Sequence, residues 1–146
     1  MNNNRVFKTQ FIPTHLTNIP LNPHYLSGFI EGDGLLIVEL TGLIKYRINI
    51  SIEQHKNSLF LLESLKSILN IESSLVLSKN TEVLKLAKSG DKYFKTFLIP
   101  FFIKYPLHGY KLIQLYKILL ILNLKDYSNI TEIKVFGKII ALKILL

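Results

Sequence analysis

Apolar and polar side chains alternate without interruption between Leu43 and Gln54, and this is the clearest pattern in the chain. Strict alternation is typical of a strand with one face on the core and the other toward solvent or a partner. The apolar face comprises Ile44, Tyr46, Ile48, Ile50 and Ile52, and the polar face comprises Lys45, Arg47, Asn49, Ser51 and Glu53. The segment from Leu35 to Leu40 predicts a partner strand, joined to this one by a turn at Thr41-Gly42.

Helical patterns flank this first hairpin. Asn22-Pro23 predicts a helix start, because Asn caps the first turn and Pro fits the first helical position. This first helix is predicted to end at Gly32-Asp33-Gly34. After the hairpin, leucine and isoleucine recur at three- and four-residue spacing from Leu61 to Leu69, which predicts a second helix capped by Asn57.

The pattern then repeats with a second hairpin and further helices. The predicted segments are strands at 74–78 and 82–88, and helices at 91–97, 109–124 and from Asn129 onward. Pro100 predicts a break between helices. The order αββαββα with C-terminal helices predicts an α+β fold with an antiparallel sheet. Residues 1–20 have no periodicity and are interpreted as an arm, and residues 21–146 as a single domain.

Composition narrows the classes of function. The chain of 146 residues contains no cysteine, which excludes disulfide frameworks, zinc knuckles and thiol nucleophiles. Its net charge of +8 is typical of a small domain that binds a polyanion. No apolar stretch approaches the roughly 18 residues of a membrane span, so no membrane partner is expected. The abundance of Lys, Asn, Ile and Leu, whose codons are rich in A and T, predicts an organellar gene and a mitochondrial or plastid location.

The segment Leu26-Ser27-Gly28-Phe29-Ile30-Glu31-Gly32-Asp33-Gly34 resembles the LAGLIDADG motif of homing endonucleases and intron maturases. Leu, a small residue, Gly, two apolar residues, an acid, a small residue and Asp-Gly follow in the family's order. Gln54 and Lys56 before the leucine-rich helix, and residues 99–107 with Lys111, are similar to the family as well. The αββαββα order is this family's fold unit, whose sheets form a saddle.

The resemblance implies how the motif acts. In this family two such helices cross at a dimer or pseudo-dimer axis, and each delivers one carboxylate, here Asp33, to the metal site. Paired carboxylates that hold Mg²⁺ activate water for phosphodiester hydrolysis. A single motif copy implies a homodimer, because each chain carries one carboxylate. The implied interface residues are Ser27, Gly28, Glu31 and Gly32.

Further site residues follow from the resemblance and from the strand pattern. The resemblance implies Gln54 beside the carboxylate and one catalytic lysine, which is either Lys104 or Lys111. The polar face of the long strand predicts a nucleic-acid surface, and lysines of the second hairpin extend it, although the pattern leaves the facing of that hairpin open. The predicted contacts are Lys45, Arg47, Asn49 and Ser51, extended by Lys79, Lys85 and Lys88.

Two functions are compatible with these features. The first is a homodimeric homing endonuclease that cleaves double-stranded DNA with Mg²⁺, which the retained Asp33 favours. The second is a descendant without cleavage activity that binds RNA, as an intron maturase or a structural rRNA-binding component of an organellar ribosome. Leu35, Ile37 and Glu39 favour the second function, because apolar and acidic side chains read base edges poorly.

Overall fold

A computed structural model of the protein describes residues 21–41, 45–79 and 81–126. Three predictions lie outside these residues: the arm 1–20, the turn and strand residues 42–44, and the helix from Asn129. The elements are α1 (Pro23–Asp33), β1 (Gly34–Leu40), β2 (Tyr46–His55), α2 (Leu59–Ile68), β3 (Val76–Leu77), β4 (Val83–Ser89), α3 (Asp91–Tyr93), a π-helical turn (Phe94–Leu98), α4 (Ile99–Lys104) and α5 (Tyr110–Asp126). The predicted α+β class and αββαββα order are confirmed.

The four strands form one antiparallel sheet in the order β1-β2-β4-β3. β2 lies between β1 and β4, with Leu36 opposite Ile50 and Leu86 opposite Ile52. These buried side chains share one face of the sheet, because side chains alternate along a strand. β3 contains two residues and is shorter than the predicted segment 74–78.

The helices cover the apolar face of the sheet and complete a single core. α1 contributes Leu26 and Ile30, and α2 contributes Leu62 and Leu65, all fully buried. The later helical segments add Phe94, Leu98, Phe102, Leu115, Ile118, Ile121 and Leu122. Burial of each large apolar side chain is worth about 1.5–3 kcal/mol, so this cluster holds α1 firmly against the sheet.

Two predicted helix boundaries are wrong. Asn57 does not cap α2; its backbone N–H donates to Nδ1 of His55 at 3.2 Å, and a 3₁₀ turn precedes the helix. The chain also remains helical through Pro100. A π-helical turn precedes this proline, which lies in the first turn of α4, where its fixed φ and missing N–H are tolerated.

Local contacts define both ends of α1. The Asn22 side chain accepts a hydrogen bond from the His24 N–H at 2.9 Å, as predicted for an N-cap. At the other end, the Gly34 N–H donates to the Ile30 carbonyl, and the chain passes directly into β1. A Cβ on Gly34 would lie 2.7 Å from that carbonyl oxygen, which is closer than real Cβ atoms approach. Only glycine therefore fits the turn from α1 into β1.

We expect Gly34→Ala to destabilise the protein by about 1–3 kcal/mol, because the added methyl group forces the backbone at Ile30 to shift. Ser67→Ala is the control: Ser67 is exposed on α2, and alanine is the better helix former. Urea unfolding followed by circular dichroism measures both free energies of unfolding. Equal stabilities of the two variants would contradict the steric account.

Candidate active site and nucleic-acid interface

Asp33 is the last residue of α1, and its side chain is exposed beside the start of β1. Nε2 of Gln54 donates a hydrogen bond to Oδ2 of Asp33 at 3.0 Å. Gly34 lies opposite Ile52, so the end of β2 returns to the start of β1 and brings Gln54 to the carboxylate. Oδ1 of Asp33 has no hydrogen-bond partner among the described residues, which leaves it open to a ligand.

The two candidate lysines lie toward opposite ends of α1. Nζ of Lys104 lies 5.4 Å from the ring centre of Tyr105, whose ring contacts His24 in the first turn of α1. By contrast, the backbone N–H of Lys111 donates to Glu31 in the last turn of α1. A helix of 11 residues is about 16 Å long, so Lys111 rather than Lys104 lies toward the carboxylate end.

Two of the predicted interface residues contact their own chain. The hydroxyl of Ser27 donates to the carbonyl oxygen of Tyr105 at 2.6 Å, and the residue is buried. Oε1 of Glu31 accepts a hydrogen bond from the Lys111 N–H at 3.2 Å. Residues four apart share one helix face, so Ser27 and Glu31 lie together on the side that faces the later helical segments.

The other two predicted interface residues, Gly28 and Gly32, lie on an exposed face of α1. A Cβ at either position would meet no described residue within 4 Å. Tyr25 is half exposed, and its ring stacks at 6.2 Å on that of the half-buried Phe29. We call the surface formed by Tyr25, Gly28, Phe29 and Gly32 the glycine face; it is the side of α1 on which a partner helix has room.

The outer face of the sheet exposes fewer polar groups than the strand pattern predicts. Arg47 is exposed on β2, opposite Glu39 of β1, and Lys45 is exposed just before the strand. Asn49 and Ser51, however, are only 8% and 2% exposed. Both lie on the predicted outer face, but they are short side chains on a strand flanked by β1 and β4, so the expected exposed ridge is wrong at these two positions.

The lysines of the second hairpin divide between the two sides of the sheet. Nζ of Lys85 forms a 3.2 Å ion pair with Glu53, its cross-strand neighbour on the outer face. Lys88 lies on the helix side, with Nζ 5.7 Å from the ring centre of Tyr93, so the extension of the outer surface to Lys88 is wrong. Lys79 is exposed after β3.

One polar cluster beside Gln54 has no signature in the sequence. Nδ1 of His55 accepts a backbone N–H, so Nε2 carries the proton and donates to Glu82 at 3.0 Å. Nζ of Lys56 donates to the same carboxylate at 2.6 Å. The hydrogen bonds from Lys56 and then His55 hold the pKa of Glu82 below its ordinary value. The cluster depends on the β2–β4 pairing, which the local pattern does not specify.

The described residues fit a divalent cation only in part. They contain no group of three or more His, Cys, Asp or Glu side chains placed to hold a metal ion. Asp33 offers one carboxylate, with Oδ2 hydrogen-bonded and Oδ1 open. Carboxylate oxygens are preferred ligands of Mg²⁺ and Ca²⁺, so Asp33 is suited to be one member of a larger ligand set.

Known proteins share the sequence and the fold of this chain. A family model described as LAGLIDADG endonuclease matches residues 26–122. The I-LtrWI LAGLIDADG homing endonuclease, solved bound to target DNA, is 29% identical with a TM-score of 0.74, over 86% of this chain and 44% of that one. I-SmaMI, solved bound to cleaved DNA, is 25% identical with a TM-score of 0.72, over 84% of this chain and 42% of its own. This chain therefore spans less than half the length of either relative.

One more solved structure shares the fold of this chain. I-TnaI, a homing endonuclease, shares the fold at 20% identity, with a TM-score of 0.74 over 88% of this chain and 89% of its own. No curated protein sequence matches. Within the described ranges, no helix has the length and apolar character needed to cross a membrane. The family match spans the motif, the sheet and most of α5, and the chain belongs to the LAGLIDADG endonuclease family.

Proposed function

We propose that this protein is a homing endonuclease that cleaves double-stranded DNA with Mg²⁺, and that Asp33 is its metal-binding carboxylate. The observation that carries the proposal is the exposed Asp33 carboxylate at the end of the motif helix, oriented by Gln54. Membership in the family and two relatives solved on DNA support the substrate class. The net charge of +8 suits a polyanionic substrate.

The side chains at this end of α1 have distinct proposed roles. A divalent cation on Asp33 would supply the activation of water and the neutralisation of the leaving oxygen. Gln54 fixes the orientation of the carboxylate, as outer-shell partners of metal ligands do, and leaves Oδ1 for the cation. Lys111 is proposed to neutralise charge on the phosphate. His55 is unsuited to act as a base, because both ring nitrogens are engaged in hydrogen bonds.

A second copy of the chain is proposed to complete the site. One chain supplies one motif carboxylate, and it spans only 44% of the length of I-LtrWI. The glycine face offers a surface on which a second motif helix can approach closely, because no side chain separates the two backbones at Gly28 and Gly32. Tyr25 and Phe29 beside the glycines add aromatic area, which is enriched in protein interfaces. Two copies would bring two Asp33 carboxylates together.

RNA binding is the second candidate function, and the outer face of the sheet favours it. Leu35 is 42% exposed there, while Asn49 and Ser51 are buried. Few polar groups therefore remain to read base edges in a DNA groove. RNA recognition through shape, phosphates and stacked bases does not need such a surface. For either function we propose a mitochondrial or plastid location, supported by the codon argument alone.

The substrate is a DNA duplex from the intron-insertion locus of the source genome. Asp33→Asn is expected to abolish its Mg²⁺-dependent cleavage, because a neutral amide holds the cation poorly. DNA binding should be unchanged. Gln54→Leu should slow cleavage by about 10–100-fold, as loss of an outer-shell partner does. Glu63→Gln, at an exposed position of α2, is the control and should cleave normally. Cleavage by the Asp33→Asn variant would contradict the assignment, and a wild-type protein that binds RNA but cuts no DNA would favour the alternative.

Gly28→Leu should convert the protein to a monomer, because a leucine on the glycine face separates the two helices. A Cβ at position 28 meets nothing within 4 Å among the described residues, so the single chain should keep its folded circular-dichroism spectrum. Sedimentation velocity measures the change, with a leucine at the exposed Glu72 as the matched control. A dimer that persists in the Gly28→Leu variant would exclude this face as the interface.

Combined Lys45→Ala and Arg47→Ala substitutions should weaken nucleic-acid binding and flatten its salt dependence. Each lost phosphate contact reduces the slope of log K against log salt by about 0.9 for a duplex and about 0.7 for a single strand. Arg47 should contribute more, because its planar guanidinium forms two hydrogen bonds at once. Lys66→Ala, in the helical layer, is the control. An equal loss in the control would place the nucleic acid on the helices instead.

A further inference from the structure

The last turn of α1 and the start of α5 meet at one carboxylate. Oε1 of Glu31 accepts a hydrogen bond from the backbone N–H of Lys111 at 3.2 Å. The first turn of α5 leaves its N–H groups without partners inside the helix, and the helix dipole favours a negative group there. Glu31 therefore joins the motif helix to the beginning of α5 by an interaction between its side chain and the backbone.

Gly109 has the space that this interaction requires. A Cβ added at Gly109 would collide with Oε1 of Glu31, the oxygen that accepts the hydrogen bond from Lys111. The Leu112 N–H donates to the Gly109 carbonyl at 3.1 Å, so Gly109 also lies at the start of the helix. The absence of a side chain at 109 thus allows the carboxylate to reach the backbone of α5.

The second oxygen of the carboxylate indicates a role beyond stability. Oε2 of Glu31 is buried and has no hydrogen-bond partner among the described residues. Native proteins seldom leave buried polar atoms unpaired, and exceptions occur at functional positions. Burying that oxygen unpaired costs stability. The contact of Glu31 with Lys111 therefore indicates a role in the site and not only in the stability of the fold.

We infer that Glu31 is a positioning residue, which docks the first turn of α5 on the carboxylate end of α1 and thereby fixes Lys111 relative to Asp33. This inference rests on the proposed endonuclease function. Glu31 and Asp33 are two residues apart on one helix, so the same turn of α1 carries the exposed carboxylate and the dock for Lys111. Lys104 lies toward the opposite end of α1 and does not replace Lys111.

Single-turnover cleavage and DNA affinity, measured separately, test the inference. Glu31→Ala should slow cleavage by about 10–100-fold, the range for outer-shell partners, with DNA affinity unchanged. Glu31→Gln should retain most of the rate, because its amide oxygen accepts the same N–H. The double variant Glu31→Ala with Lys111→Ala should be no slower than Lys111→Ala alone. Effects of the two substitutions that multiply would overturn the inference, because Glu31 would then act independently of Lys111.

Gly109→Ala tests the same contact from the side of α5. In the wild-type background its methyl group displaces Glu31, and cleavage should fall as far as in Glu31→Ala. In the Glu31→Ala background the obstacle is gone, so the same substitution should have no further effect on the rate. An equal loss from Gly109→Ala in both backgrounds would show that the glycine serves another purpose and would overturn the inference.

Hydrogen exchange at the Lys111 amide separates failure of this inference from failure of the proposed function. The amide should exchange slowly in the wild type and in Glu31→Gln, and faster in Glu31→Ala, whether or not the protein cuts DNA. A wild type without cleavage activity would defeat the proposed function and, with it, the catalytic purpose of the dock. Unchanged exchange in Glu31→Ala would overturn the dock itself, even in a protein that cleaves DNA.

Discussion

The close approach of Gly34 to Ile30 is the constraint on which the rest of this site depends. No Cβ fits between them, and no loop separates α1 from β1. Asp33 is therefore held at the junction of a helix and a strand that each bury one face in the core. The antiparallel return of β2 then brings Gln54 within 3.0 Å of the carboxylate. Both elements are fixed by the core, so the carboxylate is positioned by rigid structure and not by a mobile loop.

The motif helix is constrained on three sides at once. Leu26 and Ile30 are buried in the core, while Glu31 reaches the first turn of α5. Gly28 and Gly32 lie on the glycine face, where the described part of the chain puts nothing against them. The core side therefore carries large apolar residues, the side toward α5 an acid, and the glycine face small residues. In the proposed assembly this single helix therefore links the fold, the catalytic lysine and the partner chain.

The sequence predicted the structure best where a single local pattern, such as alternation or a motif, determines it. The period-two alternation predicted the core face of β2, and the motif predicted an acid at the end of a helix. Local rules did not predict the burial of Asn49 and Ser51, because it depends on the two flanking strands. They did not predict that the chain stays helical through Pro100, because the π-helical turn before it accommodates the proline.

Local patterns also do not specify contacts between residues that are distant in sequence. Glu82 meets His55 and Lys56 only through the β2–β4 pairing. Glu31 contacts Lys111 across 80 positions of sequence, whereas the resemblance implies that this acid lies in the interface with a partner chain. Alternation left the facing of Lys85 open, and it did not show that Glu53 pairs with this lysine. Side-chain partners require the register of the sheet and the packing of the helices, which emerge only in the fold.

In the proposed assembly, two chains contribute one essential carboxylate each. Mixing wild-type chains with Asp33→Asn chains at constant total concentration, and measuring double-strand cleavage, tests this claim. If both carboxylates are needed and the chains assort at random into dimers, the rate falls with the square of the wild-type fraction. A rate that falls only in proportion to that fraction would contradict the claim, because each wild-type chain would then cleave without its partner's carboxylate.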